Sequence, residues 1–491
     1  MKPRGHVLCL VSLALISLCP LPAQAHGFGA LYNLPVPLWL YNWSAAATLV
    51  VSFLIVALVV TTPPTSMGSS KDIAQSMPGR LLRKGMPVLR LFSLFLLFLC
   101  IATGLWGNPD PMRNFSPVFF WVIFTLVLTY AVAVFGDIYA ALNPFRTLTV
   151  WIARFWAKGV TGRYSFPQSW GHWPALLLYL GFIGFELFGT GTPSSIAWFL
   201  LGYTVLNIFG VWLIGARDWF RYCEFFAVFF RLVALMAPVD YRRATSDEPW
   251  RLRLRWPLAG LMHERPSHIS TVVFVLAMLA TTAFDGLKAT KWWVELFWGD
   301  PTGWLEHTIG VPPAQALATV MPWYLAWSLF CLVALPFLYL AVYLLVLWFA
   351  RKITGLERSL HALAMDFAYS LLPIALMYHI THYWTLILTH GLKIFSAVSD
   401  PFGWQWNLFG TAFKFRAPII PDMAVVWHSQ VILIVLGHIA SVWVAHKIAL
   451  RVFPSRTSGM LSQVPMLALM IGFTVFGLWI LAQPLTVQLL R

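Results

Sequence analysis

Ten apolar runs, each long enough to cross a hydrocarbon core of about 30 Å, dominate this sequence and leave it little choice of fold. They fall at about 38–60, 88–106, 118–136, 172–190, 194–215, 269–287, 323–349, 363–390, 425–447 and 464–485. In lipid a backbone must satisfy its own hydrogen bonds, so runs of this length become helices. Hydrophobic residues make up 59% of the chain and charged residues 10%. No polar stretch is long enough for a separate soluble domain. The expected fold is all-α: a polytopic transmembrane helical bundle of about ten spans. It forms a single domain over 26–491, after a cleaved leader over 1–25.

The formal charge of +15 does not call for nucleic acid, because the basic residues collect in alternate loops. Arg80, Arg83 and Lys84 lie in one, Arg146, Arg154 and Lys158 in the next, and Arg217, Arg221, Arg251, Arg253 and Arg255 in the third. The positive-inside rule turns those loops to the cytoplasm. The expected location is the bacterial inner membrane, with several passes and the mature N-terminus in the periplasm. Two segments look interfacial. Residues 143–158 mix basic and aromatic side chains. Residues 219–237 are apolar but carry Arg221, Glu224 and Arg231 between basic loops, which suits a helix lying on or dipping into the cytoplasmic face.

Lys2 and Arg4, an apolar stretch to Leu18 and the Pro20–Ala25 segment ending in Ala-x-Ala read as a signal peptide. Cleavage would leave His26 first. A terminal amine and an imidazole on one residue can chelate copper. The five cysteines are too scattered for a disulfide or zinc framework.

Six of the thirteen histidines lie in two neighbouring runs: His379, His382 and His390, then His428, His438 and His446. Ionisable groups inside a span are costly and point to function. A rise of about 1.5 Å per residue puts His379 about 16 Å below His390, and His438 about 15 Å below His428. His379, His382 and His438 therefore share a depth, which predicts that three imidazoles converge in the outer half of the membrane. Glu186 and Asp285 sit near the outer ends of their own spans. Each needs a metal, a proton or a ligand there. Asp137 and Asp366 fall at inner ends and read as structural.

Several stretches carry a resemblance. They include His26-Gly27, Leu34-Pro35-Val36-Pro37-Leu38-Trp39-Leu40, Asn143-Pro144-Phe145-Arg146, Phe284-Asp285-Gly286 and His382-Tyr383. Further along come Ser399-Asp400-Pro401-Phe402-Gly403, Gly437-His438 and Pro465-Met466-Leu467. Through these the chain resembles the bacterial polytopic membrane proteins named fenitrothion hydrolases. The resemblance implies hydrolysis of an apolar organophosphorus triester that arrives through the bilayer.

Joined to the histidines, this suggests a metal-dependent membrane hydrolase. A divalent metal ion, zinc or copper, would be held by His379, His382 and His438, with His428, His390 and His26 as further candidate ligands. Asp285 and Glu186 would be the catalytic carboxylates, and the ion would activate water. Two alternatives belong to other classes. Paired imidazoles could ligate haem, or histidines could hold copper, in a redox or metal-handling protein. The buried carboxylates could relay protons in a transporter, although no internal repeat is evident. The lipid bilayer is the one certain partner, and a partner subunit has room.

Overall fold

The computed structural model describes residues 37–63, 71–155, 162–242, 251–415, 419 and 422–483. The leader and His26 lie outside them. Among the described residues, nine helices are long and apolar enough to span a membrane. Together with two shorter apolar helices they are numbered here in chain order: α1 (Leu38–Val59), α2 (Met77–Trp106), α3 (Phe115–Phe135), α4 (Trp173–Phe188), α5 (Pro193–Ile214), α6 (Phe225–Ala234), α7 (Ile269–Lys288), α8 (Leu317–Thr354), α9 (Leu360–His390), α10 (Met423–Val452) and α11 (Arg456–Ala482). This is an all-α polytopic bundle. The tenth expected run is α4, which at 16 residues is short of the roughly 20 a full crossing needs.

The bundle is built around α7. Ser270 through Gly286 are all buried, as expected of a helix that is apolar all round. It packs against α4, α8, α9 and α11. Helix α9 packs against α7, α10 and the middle of α3. That part of α3, Val118–Val127, is wound as a π-helix, a local widening often found at functional sites. Helix α9 tightens into a 3-10 turn at Ala368–Leu371. Pro373 follows and has no N–H to continue an α-helical ladder.

Helix α6 explains the ambiguous apolar segment. Gly215 ends α5 at a φ of 84°, a conformation open to glycine and few others. The chain then turns back through Trp219–Cys223 to Glu224. The Tyr203 hydroxyl donates to Glu224. Tyr203 is eleven residues before the end of α5, or about 16 Å into the bundle at 1.5 Å per residue. The segment thus dips inward and does not lie on a surface. Phe225, Phe226, Val228 and Phe230 are buried.

The other segment expected at the interface forms a helix over Pro144–Phe155. Asn143 Oδ1 caps it by accepting from the Arg146 N–H at 2.9 Å. On the side of the basic loops, three short strands form one antiparallel sheet. They are β1 (Lys71–Asp72), β2 (Val239–Arg242) and β3 (Arg251–Leu254), in the order β1-β3-β2. Lys71 and Val239 both pair with Leu254. Two of the strands come from the polar part of the chain between Pro238 and Pro266. Arg255 donates from Nε to the Ala237 carbonyl at 3.0 Å and from Nη2 to that of Ala234 at 2.9 Å.

Candidate functional site

Three helices bring the site together. Helix α7 supplies Asp285, α4 supplies Glu186, and α9 supplies His379, His382 and Tyr383. Gly286 makes the packing behind Asp285 possible: a Cβ there would stand 2.7 Å from Cγ2 of Ile480 on α11.

Asp285 is 2% exposed. Its Oδ2 is 2.6 Å from His382 Nε2 and 3.0 Å from the Tyr383 hydroxyl. The same hydroxyl is 3.0 Å from Glu186 Oε1. Lys288 Nζ stands 3.6 Å from Asp285 Oδ1 and donates to the Leu187 carbonyl at 3.1 Å. The result is a continuous chain: Glu186, Tyr383, Asp285, His382.

Counting hydrogens shows what this chain requires. A phenol carries one hydrogen, while ionised carboxylates only accept. If both carboxyls were ionised, one of them would face a lone pair of Tyr383 at 3.0 Å. The arrangement closes when one carboxyl carries a proton and donates it to the Tyr383 oxygen.

Beside the chain lies a cavity of about 40 Å³. That is room for about three waters. Its wall includes Glu186, Asp285, His379 and Tyr383 on the polar side. Phe182, Phe225, Phe226, Phe229 and Phe230 form most of the apolar side, and Thr125 reaches in from the π-helical part of α3.

The expected convergence of three imidazoles does not occur. Among the described residues, no group of three or more His, Cys, Asp or Glu side chains is arranged to hold a metal ion. His382 is hydrogen-bonded to Asp285, and the two do not open around a shared centre. His379 Nδ1 is 3.4 Å from the Tyr130 hydroxyl. His438 turns toward α11, with Nδ1 donating to the Ile434 carbonyl at 2.8 Å and Nε2 3.1 Å from Thr474 Oγ1. Both of its nitrogens have protein neighbours. His428 bonds the Ala424 carbonyl at 2.6 Å and lies 3.3 Å from the Tyr41 hydroxyl. His390 pairs with Thr389 Oγ1 at 2.7 Å. His26 is outside the described residues. A three-histidine metal centre therefore does not fit these side chains, and no step is routed through one.

The two carboxylates read as structural hold local roles. Asp137 Oδ1 accepts from the Ala140 N–H at 2.8 Å. Asp366 sits between Arg265 at 3.0 Å and Arg358 at 2.7 Å.

Sequence reasoning passed over Tyr383 and Tyr130 as site residues. Tyr383 follows His382 directly, so on a helix it points about a quarter-turn away. That turn is what lets His382 and Tyr383 reach the same Asp285 oxygen from two sides. Comparison of the chain with protein-family models, curated proteins and solved structures finds no match.

Proposed function

We propose that this chain is a proton-coupled membrane protein of the transporter class, with the Glu186–Tyr383–Asp285–His382 chain as its proton-relay centre. One observation carries the reading: a single buried hydroxyl lies 3.0 Å from both Glu186 and Asp285. Asp285 has His382 and Lys288 beside it, so it is the carboxyl suited to the negative charge. Glu186 then holds the proton. A relay step passes the Glu186 proton to the Tyr383 oxygen while the Tyr383 proton moves to Asp285 Oδ2. One O–H bond breaks and one forms at each transfer. With the basic loops turned to the cytoplasm of a bacterial inner membrane, the relay lies in the outer half of the bilayer.

Infrared spectroscopy of the reconstituted protein tests this. The expected result is a carboxylic-acid C=O stretch at neutral pH that disappears in Glu186→Gln. Dye-loaded vesicles under an imposed potential should also take up protons with the wild type and fail to with Glu186→Gln. No such band, or one unchanged by the substitution, would end the reading.

A second reading keeps the hydrolysis of neutral organophosphorus triesters. The 2.6 Å contact from Asp285 to His382 favours it, because a carboxylate that orients an imidazole makes a general base for water. A triester would need the cavity phenylalanines to move, since the space holds only a few waters. The two readings separate in detergent, where no gradient exists: triester turnover there supports hydrolysis.

A further inference from the structure

Of the other polar groups on the wall of the cavity beside the relay, Thr125 and Thr282 spend their hydroxyl hydrogens on the Trp121 and Met278 carbonyls. Two polar ways out remain, and hydrogen counting separates them. One is the Tyr179–Thr281 pair, whose hydroxyls lie 3.0 Å apart. The Thr281 hydroxyl also donates to the Ala277 carbonyl at 2.8 Å. Thr281 spends its hydrogen on that carbonyl, and Tyr179 spends its own on Thr281. A carbonyl cannot pass a proton on, so this route is closed.

The other is His379. It sits one helical turn from Tyr383 on α9, toward the basic-loop side, with ring centroids 4.9 Å apart. Its Nδ1 faces the Tyr130 hydroxyl at 3.4 Å. Its Nε2 has no hydrogen-bond partner among the described residues, and the ring lines the same water-sized cavity as Glu186 and Asp285. A polar nitrogen at such a cavity calls for water as its partner.

Building on the relay reading, we infer that His379 is the proton-exchange residue linking the Glu186–Asp285 centre to the half of the bundle nearer the basic loops. A proton leaves the Glu186 carboxyl for a cavity water as that water gives one to His379 Nε2. The O–H bond of the acid is lost, an N–H bond forms, and no electrons are transferred. The groups facing His379 are Tyr130 on α3, Glu186 on α4, Asp285 on α7, and His382 and Tyr383 on α9. The two carboxyls stabilise the imidazolium while it exists. Phe229 on α6 contributes only its ring, 6.5 Å away. Tyr130 holds the far side of the imidazole and is a positioning residue.

The test measures proton uptake by dye-loaded vesicles for wild type, His379→Gln, and His379→Ala with and without added imidazole. Uptake should fall by about a hundredfold in both variants, the scale of losing one proton-transfer group. Imidazole should restore much of it in His379→Ala, because the deleted ring leaves space for it. Rescue would not follow if His379 served packing alone. Wild-type uptake in both variants, or a loss that imidazole leaves untouched, would overturn the inference. If wild-type protein takes up no protons and Glu186→Gln changes nothing, the relay reading itself fails first, so the two failures are distinct.

Discussion

Glu224 and the Glu186–Asp285 pair are carboxyls beside the same cluster of phenylalanines, Glu224 and Asp285 buried and Glu186 half-buried, yet their surroundings differ in the number of hydrogens offered. Glu224 is 0% exposed and accepts four hydrogen bonds. Its Oε1 takes the Tyr203 hydroxyl and the Phe226 N–H at 3.2 Å. Its Oε2 takes the Ala227 N–H at 2.8 Å and Asn143 Nδ2 at 3.3 Å. Four donors match the lone pairs of one ionised carboxylate, and the N-terminal end of α6 adds a favourable dipole. Arg255 does the converse for the carbonyls at the other end of that helix. Between Glu186 and Asp285 stands a single phenol, with one hydrogen for two carboxyl oxygens. The first site is a saturated cap, and the second has a place for a movable proton. The hydrogens available to the carboxyls, more than burial, distinguish the two sites.

The largest effect should come from destroying the cap. In Glu224→Ala, α6 loses its N-cap at about 0.5–2 kcal/mol, and stranded buried donors cost about 1–3 kcal/mol each. A drop of about 3 kcal/mol or more is expected in the unfolding of detergent-solubilised protein. Wild-type stability in this variant would show that the four contacts do not hold the re-entrant segment. The comparison would then collapse.

Glu186→Gln should behave in the opposite way. The amide N–H can donate to the Tyr383 oxygen as the protonated acid does, so stability should stay within about 1 kcal/mol of wild type. Proton uptake should fall by about a hundredfold, since the amide has no labile acid proton to relay. A variant that unfolds as readily as Glu224→Ala would place both carboxyls in one structural class.

The two tyrosines sharpen the contrast further. Tyr203→Phe removes one donor of four and should cost about 1 kcal/mol with proton uptake retained. Tyr383→Phe removes the bridge between two acids and should cost about 1–3 kcal/mol. It should also abolish the relay. Equal effects on uptake would mean that Tyr383 is no more than a packing residue.

The spans were legible because a bilayer imposes length and apolarity on one stretch of chain at a time. The exceptions are instructive. Helix α6 looked ambiguous because Glu224 and Arg231 interrupt an apolar run, and the partners that neutralise such charges lie far off in sequence, Asn143 and Tyr203 among them. The same limit applies at the site. Counting residues along a span gives depth, and depth placed Asp285 and Glu186 near the same end of the bundle. It also placed His379, His382 and His438 at one level. Depth is one coordinate of three. Rotation about each helix axis sends His382 to α7 and His438 to α11, and that rotation depends on packing between helices. Tyr383 was hidden for the same reason.

His438 is where this lesson can be tested with the smallest expected effect. Its position invited a ligand role, but its contacts are those of a satisfied interior residue. In the neutral tautomer with hydrogen on Nδ1, it donates to the Ile434 carbonyl. The Thr474 hydroxyl lies 3.1 Å from its Nε2 and 2.8 Å from the Met470 carbonyl, so its one hydrogen serves one of the two at a time. Thr474→Val removes that hydroxyl and keeps the shape. It should cost about 0.5–1.5 kcal/mol, the net worth of one interior hydrogen bond, and leave proton uptake at the wild-type level. A large loss of uptake with stability intact would put His438 back among the working residues. It would mean that the relay runs on from α9 into α10 and α11.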